Sequence, residues 1–336
     1  MERIKLANLY DSVISVENLL EAWQEFLSGK KQKADVQEFQ KNLMGNIIEL
    51  HENLILKKYT HSPYLAFNIS DPKPRNIHKA SVLDRLLHHA IYRILYPFFD
   101  KTFISDSYSC RLGKGTQRAL NRFRDFGRKV SKNHTKTCWV LKCDIRKFFA
   151  SVDQTTLLNI LRKHITDTDI LWLLERIITS FNSTKQGTGL PLGNLTSQLL
   201  VNIYMNQFDQ WMKHCMKVKY YIRYADDFVI LSQDKDYLLE LTPKIADFLE
   251  ENLKLQLHPN KVFIKTLASG VDFLGWVHFE DHRVLRTATE KKMFRNLKEK
   301  EGEKREKSVA SYLGMLEWGN GYKLEQQISQ GKETLV

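Results

Sequence analysis

Tyr224-Ala225-Asp226-Asp227 stands between two strongly β-forming stretches, residues 220–223 and 228–231. Two adjacent carboxylates between apolar strands are costly to place unless a cation neutralises them. The plain alternative is an ordinary hairpin in which Asp serves its turn chemistry. From the chain's own Tyr and Asp frequencies, Tyr-x-Asp-Asp arises by chance in roughly one such chain in 25, so the turn does not decide the matter alone.

A second segment, residues 140–149, sets Asp144 inside an apolar strand, poor company for a solvated carboxylate. Paired with Arg146 or Lys147 it is a strand-end ion pair. Placed beside Asp226 and Asp227 it completes a three-carboxylate cluster that suits two Mg²⁺ ions, which are hard and prefer oxygen. Two ions about 4 Å apart can activate a 3′-hydroxyl and stabilise a leaving pyrophosphate.

The remaining composition agrees with a large folded protein. The 336 residues are 43% hydrophobic, enough for a sizeable core and two or three coupled subdomains. The formal charge of +12 points to a polyanionic partner, or simply to a soluble basic protein. No apolar run approaches the roughly 20 residues of a membrane span. Residues 1–5 do not open a signal peptide. Cys110, Cys138, Cys143 and Cys215 form neither a disulfide framework nor a Cys-x-x-Cys pair. Reduced thiols in a cytoplasmic protein are expected.

Periodicity predicts a helical hairpin over residues 8–57 and two strands around a Pro-containing turn over 59–79. Helices are predicted over 81–97, ended by Pro97, over 116–130 with an Arg-rich face, over 154–181, over 196–214 and over 243–254. Strands are predicted in 140–149, 220–231, 271–279 and 283–286, and the tail from about 288 is helical. Helices alternating with short, separated strands indicate an α+β fold. Residues 283–307 hold ten Lys or Arg and five Glu, net +5. Such a segment tracks a phosphate backbone or forms a solvated, salt-bridged helix. Gly113-Lys114-Gly115-Thr116 lacks the spacing of a P-loop, and His88-His89 reads as packing.

With these segments in hand, the chain resembles the reverse transcriptases, with motifs in the family's order over about residues 60–285. Arg75 through Asp84-Arg85 and Ser107-Tyr108-Ser109-Cys110-Arg111 with Gly113–Thr116 resemble the two fingers blocks. Residues 144–153 are similar to motif A, Gly189-Leu190-Pro191-Leu192-Gly193-Asn194-Leu195-Thr196-Ser197-Gln198 to motif B and residues 224–227 to motif C. Residues 253–261 are similar to motif D, and Phe273-Leu274-Gly275-Trp276 to the primer grip. The resemblance implies a right-hand polymerase fold with an antiparallel palm sheet and a short helical thumb. It implies an N-terminal helical extension (1–58), fingers (59–143), palm (144–286, with fingers helices at about 154–185) and thumb (287–336).

It also implies roles. Asp144 and Asp226 would bind two Mg²⁺ ions, with Asp227 assisting and the Ile145 carbonyl as a further ligand. Phe149, five residues after Asp144, would block a 2′-hydroxyl and select deoxynucleotides; the alternative is a core Phe. Lys73 and Arg75 would neutralise the incoming triphosphate. Lys261 would protonate the leaving pyrophosphate. Leu192, Gly193 and Gln198 would border the nascent base pair. Template RNA, a primer strand and dNTPs would be the partners.

Motif B departs from the common Gln-Gly and Ser-Pro, having Leu192-Gly193 and Ser197-Gln198. This form is similar to the reverse transcriptases of diversity-generating retroelements, which copy a template RNA inaccurately at adenines and work with a basic accessory variability protein. Residues 111–116, 311–314 and 320–324 also resemble that branch. The competing expectations are an antiphage-defence reverse transcriptase and a non-catalytic RNA-binding scaffold on the same fold. A group II intron maturase is the less expected reading, since no separate DNA-binding or endonuclease region follows the expected thumb.

Overall fold

The computed structural model describes residues 6–7, 9–69 and 75–330. The chain runs through α1 (Tyr10–Ile14), α2 (Val16–Phe26), α3 (Ala34–Lys41), α4 (Leu43–Ile55), β1 (Leu65–Ile69), β2 (Arg75–Lys79), α5 (Val82–Asp100) and α6 (Thr116–Val130). It continues through β3 (Trp139–Asp144), α7 (Phe148–Ser151), α8 (Gln154–Arg162), α9 (Thr168–Thr179), α10 (Leu195–Gln210), β4 (Tyr221–Tyr224), β5 (Asp227–Ser232) and α11 (Lys235–Leu253). It ends with β6 (Phe263–Thr266), β7 (Val271–Phe273), β8 (Trp276–His278), β9 (Arg283–Leu285), α12 (Thr287–Lys298), α13 (Gly302–Leu316) and α14 (Tyr322–Ser329). This is the expected α+β architecture, the right-hand polymerase fold.

Contacts group the chain into two compact units. The first comprises residues 1–105, 145–217 and 246–257; the second comprises 106–144, 218–245 and 258–336. In the first, α2 shows why its residues are helical: Leu19, Ala22, Trp23 and Phe26 recur on one buried face, and Ser15 caps Asn18 N–H. In the second, β4, β5, β3 and β6 form one antiparallel sheet in that order. Val140, Ile222, Val229 and Leu231 bury against Phe123 and Phe126 of α6. Each such fully buried side chain stabilises by about 1.5–3 kcal/mol. A separate sheet, β7-β8-β9, packs Trp276 and Leu285 with Met293, Phe294, Leu297 and Leu316 of the terminal helices.

Several boundaries differ from expectation. Helix α5 does not end at Pro97 but runs through it to Asp100. Proline removes one helical N–H bond and strains the preceding turn. Burial of Tyr96 and Phe99, with Tyr96 Oη donating to Asp100 Oδ1 at 2.9 Å, offsets that loss. Helix α11 likewise begins eight residues before Pro243. Residues 154–181 are two helices, because the Asp167 carboxylate caps α9 at Asp169 and Ile170 while also accepting from Leu9 and Tyr10 N–H. The N-terminal hairpin is four helices, and α10 finishes in a π-helical turn, Trp211–Cys215. Among the described residues, no helix is long and apolar enough to cross a membrane. The four cysteines are free, and His88 is buried, its ring stacked on His61.

Candidate active site

Three acidic residues lie at one end of the β4-β5-β3-β6 sheet. Asp144 closes β3 and lies directly opposite Asp227, the first residue of β5. Tyr224 pairs with Asp227 across the β4–β5 hairpin, which leaves Ala225 and Asp226 as a two-residue turn. Such short turns require positive φ, and Ala225 supplies it at +56°, a conformation that costs a non-glycine residue free energy. The strain is braced from below. Arg223, fully buried, donates to the Ala225 carbonyl at 3.1 Å and to Ser107 Oγ at 3.0 Å. The segment around Ser107 lies along β4, Arg223 N–H donating to Asp106 O and Tyr108 N–H to Arg223 O, each at 3.0 Å.

Two lysines answer the carboxylates. Lys261 Nζ lies 2.8 Å from Asp144 Oδ1. Lys142, two residues before Asp144 and so on the same face of β3, lies 3.4 Å from Asp227 Oδ2 and donates to the Asp272 carbonyl at 2.8 Å. Burial nonetheless pushes the Asp227 carboxyl up to about 7; Lys142 opposes the shift, and neighbouring Asp226 and Asp144 add to it. Asp227 Oδ1 is buried with no hydrogen-bond partner. Among the described residues, no three His, Cys, Asp or Glu side chains are gathered as a metal-holding group. The donor set is all carboxylate, the type hard divalent ions take, and the orphaned Asp227 oxygen is a position a cation can satisfy.

The expected nucleotide-pocket residues lie in the other unit. Arg75 opens β2 opposite Ile69 and is exposed; Lys73 lies outside the described residues. Phe149 sits half-buried on the short α7, its carbonyl accepting Leu190 N–H at 2.8 Å. The half-buried Leu192 accepts His78 N–H of β2 through its carbonyl at 3.3 Å. Gly193 takes φ +109°, and a Cβ there would come within 3.2 Å of Ile77 Cγ2. Gln198, in the first turn of α10, is half-buried. The β1–β2 hairpin, the Phe149 segment and the Leu192 loop are thus joined by hydrogen bonds and close packing. Ile145 is buried and bridges Leu257.

Phe273 and Trp276 are buried and pair across the β7–β8 hairpin. Leu274 and Gly275 form its turn with φ of +52° and +86°, and the Gly275 carbonyl accepts Arg286 N–H at 3.0 Å. Among the ten cations counted in residues 283–307, Arg283 and Arg286 are tied to other elements of the fold. Arg283 is buried and donates to Trp318 O and Asn121 Oδ1, while Arg286 pairs with Asp272 at 2.9 Å. Lys291, Arg295, Lys298, Lys304 and Lys307 are exposed, with Arg295 and Lys307 beside Glu299 and Glu303 of the terminal segment. Sequence reasoning missed Lys142 and Arg223. Strand alternation alone places Lys142 beside Asp144, but nothing local marks Arg223 as buried.

The fold is that of the right-hand polymerases. The family model for reverse transcriptase (RNA-dependent DNA polymerase) matches residues 68–278, and the chain belongs to that family. It is 25% identical to Protein YkfC of Escherichia coli over 260 residues, covering 65% of each chain. It is 22% identical to the group II intron-encoded protein LtrA of Lactococcus lactis, covering 62% of this chain and 44% of LtrA. The chain thus spans less than two thirds of these relatives' lengths. Apo telomerase from Candida tropicalis, truncated from its C-terminal domain, shares the fold with a TM-score of 0.50 and 14% identity, over 71% of this chain and 59% of that one.

Proposed function

We propose that the chain is an RNA-directed DNA polymerase that extends a primer on an RNA template by two-metal nucleotidyl transfer, with copying that is error-prone at template adenines in a diversity-generating retroelement. The observation that carries the catalytic part is the register that sets Asp144 against Asp227 beside the Asp226 turn. Asp144, Asp226, Asp227 and the Ile145 carbonyl would hold two Mg²⁺ ions. When bound, such ions lower the pKa of the 3′-hydroxyl and neutralise the leaving pyrophosphate.

The chain's own residues do the rest. Lys261 and Lys142 hold the carboxylates in place before metal arrives. Lys261 is then positioned to give a proton to the departing pyrophosphate. Arg75, with Lys73, neutralises the incoming triphosphate. Phe149 excludes a 2′-hydroxyl, and Gln198 borders the base pair. Leu192 puts an apolar side chain where other family members have a glutamine, which removes a polar restraint on the base pair and supports the error-prone reading. Phe273, Leu274, Gly275 and Trp276 orient the primer end. Residues 59–143 then act as fingers, 144–286 as palm and 287–336 as thumb, behind an N-terminal extension of residues 1–58. A structured template RNA and a basic accessory protein are the expected partners. Sequencing cDNA made on an RNA template with all four bases tests the proposal: errors concentrated opposite adenine support it, and an even error spectrum removes the retroelement reading while leaving the polymerase intact.

A further inference from the structure

A two-stranded hairpin is marginally stable by itself. The β1–β2 hairpin leaves Leu65, Phe67 and Ile69 exposed on one face, so that face does not anchor it. Its anchor is the free edge of β2. There the His78 N–H donates to the Leu192 carbonyl at 3.3 Å, and the His78 carbonyl accepts from Asn194 Nδ2 at 3.3 Å. Residues 192–194 thus pair with both backbone groups of one strand residue, as a short third strand would. Ile77 packs against the only side of Gly193 where a Cβ would go, which keeps the approach close. The His78 ring lies edge-on to Phe181 at 4.6 Å, and the Phe181 carbonyl accepts from Gln154 Nε2 at 2.6 Å.

Asn194 makes this contact at the expense of a local one. It occupies the N-cap of α10, where Asn is among the favoured residues because its side-chain oxygen accepts a first-turn N–H. No such cap bond forms here. The carboxamide, 3% exposed, reaches instead across 116 residues of sequence to β2. A residue selected only to start a helix would cap it. A residue that holds the fingers hairpin to the motif B loop would do what Asn194 does.

We infer that Asn194 is a positioning residue that clamps the fingers hairpin to the motif B loop, fixing Arg75 relative to Leu192 and thereby setting how tightly an incoming dNTP is held and discriminated. Arg75 lies three residues from His78 along β2, roughly 10 Å at strand rise. A loosened clamp moves the triphosphate cation without touching the carboxylates. The inference rests on the proposed reading that Arg75, Phe149 and Leu192 border the nucleotide.

The test is steady-state single-nucleotide extension by Asn194→Ser and Asn194→Asp, with thermal unfolding of each variant. Both substitutions keep a good N-cap; the ionised Asp has no donor for His78 O, and the Ser hydroxyl is one bond too short to reach it. The clamp predicts a dNTP KM raised about fivefold to tenfold, the worth of one buried hydrogen bond. kcat stays within about twofold, template–primer affinity is kept and Tm is not lowered. Wild-type KM and error frequency in both variants overturn the inference. A KM loss matched by a lowered Tm in both also overturns it, since that is a structural role. Phe149→Ala serves as the control for the underlying reading. If it fails to admit ribonucleotides, the pocket assignment fails; if it admits them while both Asn194 variants behave as wild type, only the clamp fails.

Discussion

Asp227 carries an electrostatic conflict that the neighbouring residues only partly relieve. Its carboxyl is raised to about 7 by burial, despite Lys142. Below about pH 7 the folded chain therefore holds a proton there that the unfolded chain releases above its ordinary value of 3.8. This group's contribution to stability is full below that value and is lost as pH rises through about 7. A divalent ion needs the ionised form, so metal binding must displace the proton at lower pH. The Mg²⁺ concentration for half-maximal extension is expected to fall about tenfold per pH unit between roughly pH 5.5 and 6.5 and to level off above about 7.5. A metal requirement independent of pH over that range would remove Asp227 from the binding group. Leu192 gives the second prediction at this scale. Leu192→Gln restores a polar contact to the base pair, and cDNA sequencing is expected to show errors opposite template adenine reduced about tenfold, the scale of one specific polar contact. An unchanged spectrum would clear Leu192 of any part in fidelity.

At the scale of elements, the Ala225-Asp226 hairpin was legible, because two β-forming runs flank it; the strand expected over 271–279 is instead a hairpin that turns at Leu274-Gly275. The helix ends at Pro97 and the start of α11 were not. Local propensity says stop at proline, and packing of Phe99 or the length of a buried face overrides it. Strand β6, four residues with Lys265 in the middle, is too short to show alternation. The pairing of His78 with Leu192 and Asn194 is invisible in sequence because it joins residues far apart in the chain. Gly319 gives this scale its prediction. A Cβ there would lie 2.3 Å from the Trp276 ring and 2.9 Å from the Arg283 carbonyl. Gly319→Ala is expected to destabilise the protein by about 1–3 kcal/mol through overpacking. If Trp276 belongs to the proposed primer grip, the same change should also weaken primer–template affinity. A variant with wild-type Tm and primer affinity would show that the terminal helices yield freely.

At the scale of the whole molecule, the chain forms two compact units and crosses between them five times, once at the Asp144–Ile145 peptide. The unit that includes residues 106–144 holds Asp144, Asp226 and Asp227, Lys142 and Lys261, the Leu274-Gly275 turn and the basic terminal helices. The other unit holds Phe149, Leu192, Gln198 and the β1–β2 hairpin. The net charge of +12 suits a polyanionic template, although Arg283 and Arg286 are tied within the fold and are not available to it. Family membership and fold together make nucleotidyl transfer at Asp144, Asp226 and Asp227 the central claim. Its most direct measurement is Mg²⁺-dependent dNTP incorporation on a primed RNA template by the wild-type chain and by Asp226→Asn. The account predicts incorporation by the first and a loss of at least about a thousandfold in the second, with template binding retained. Wild-type incorporation by Asp226→Asn would contradict it.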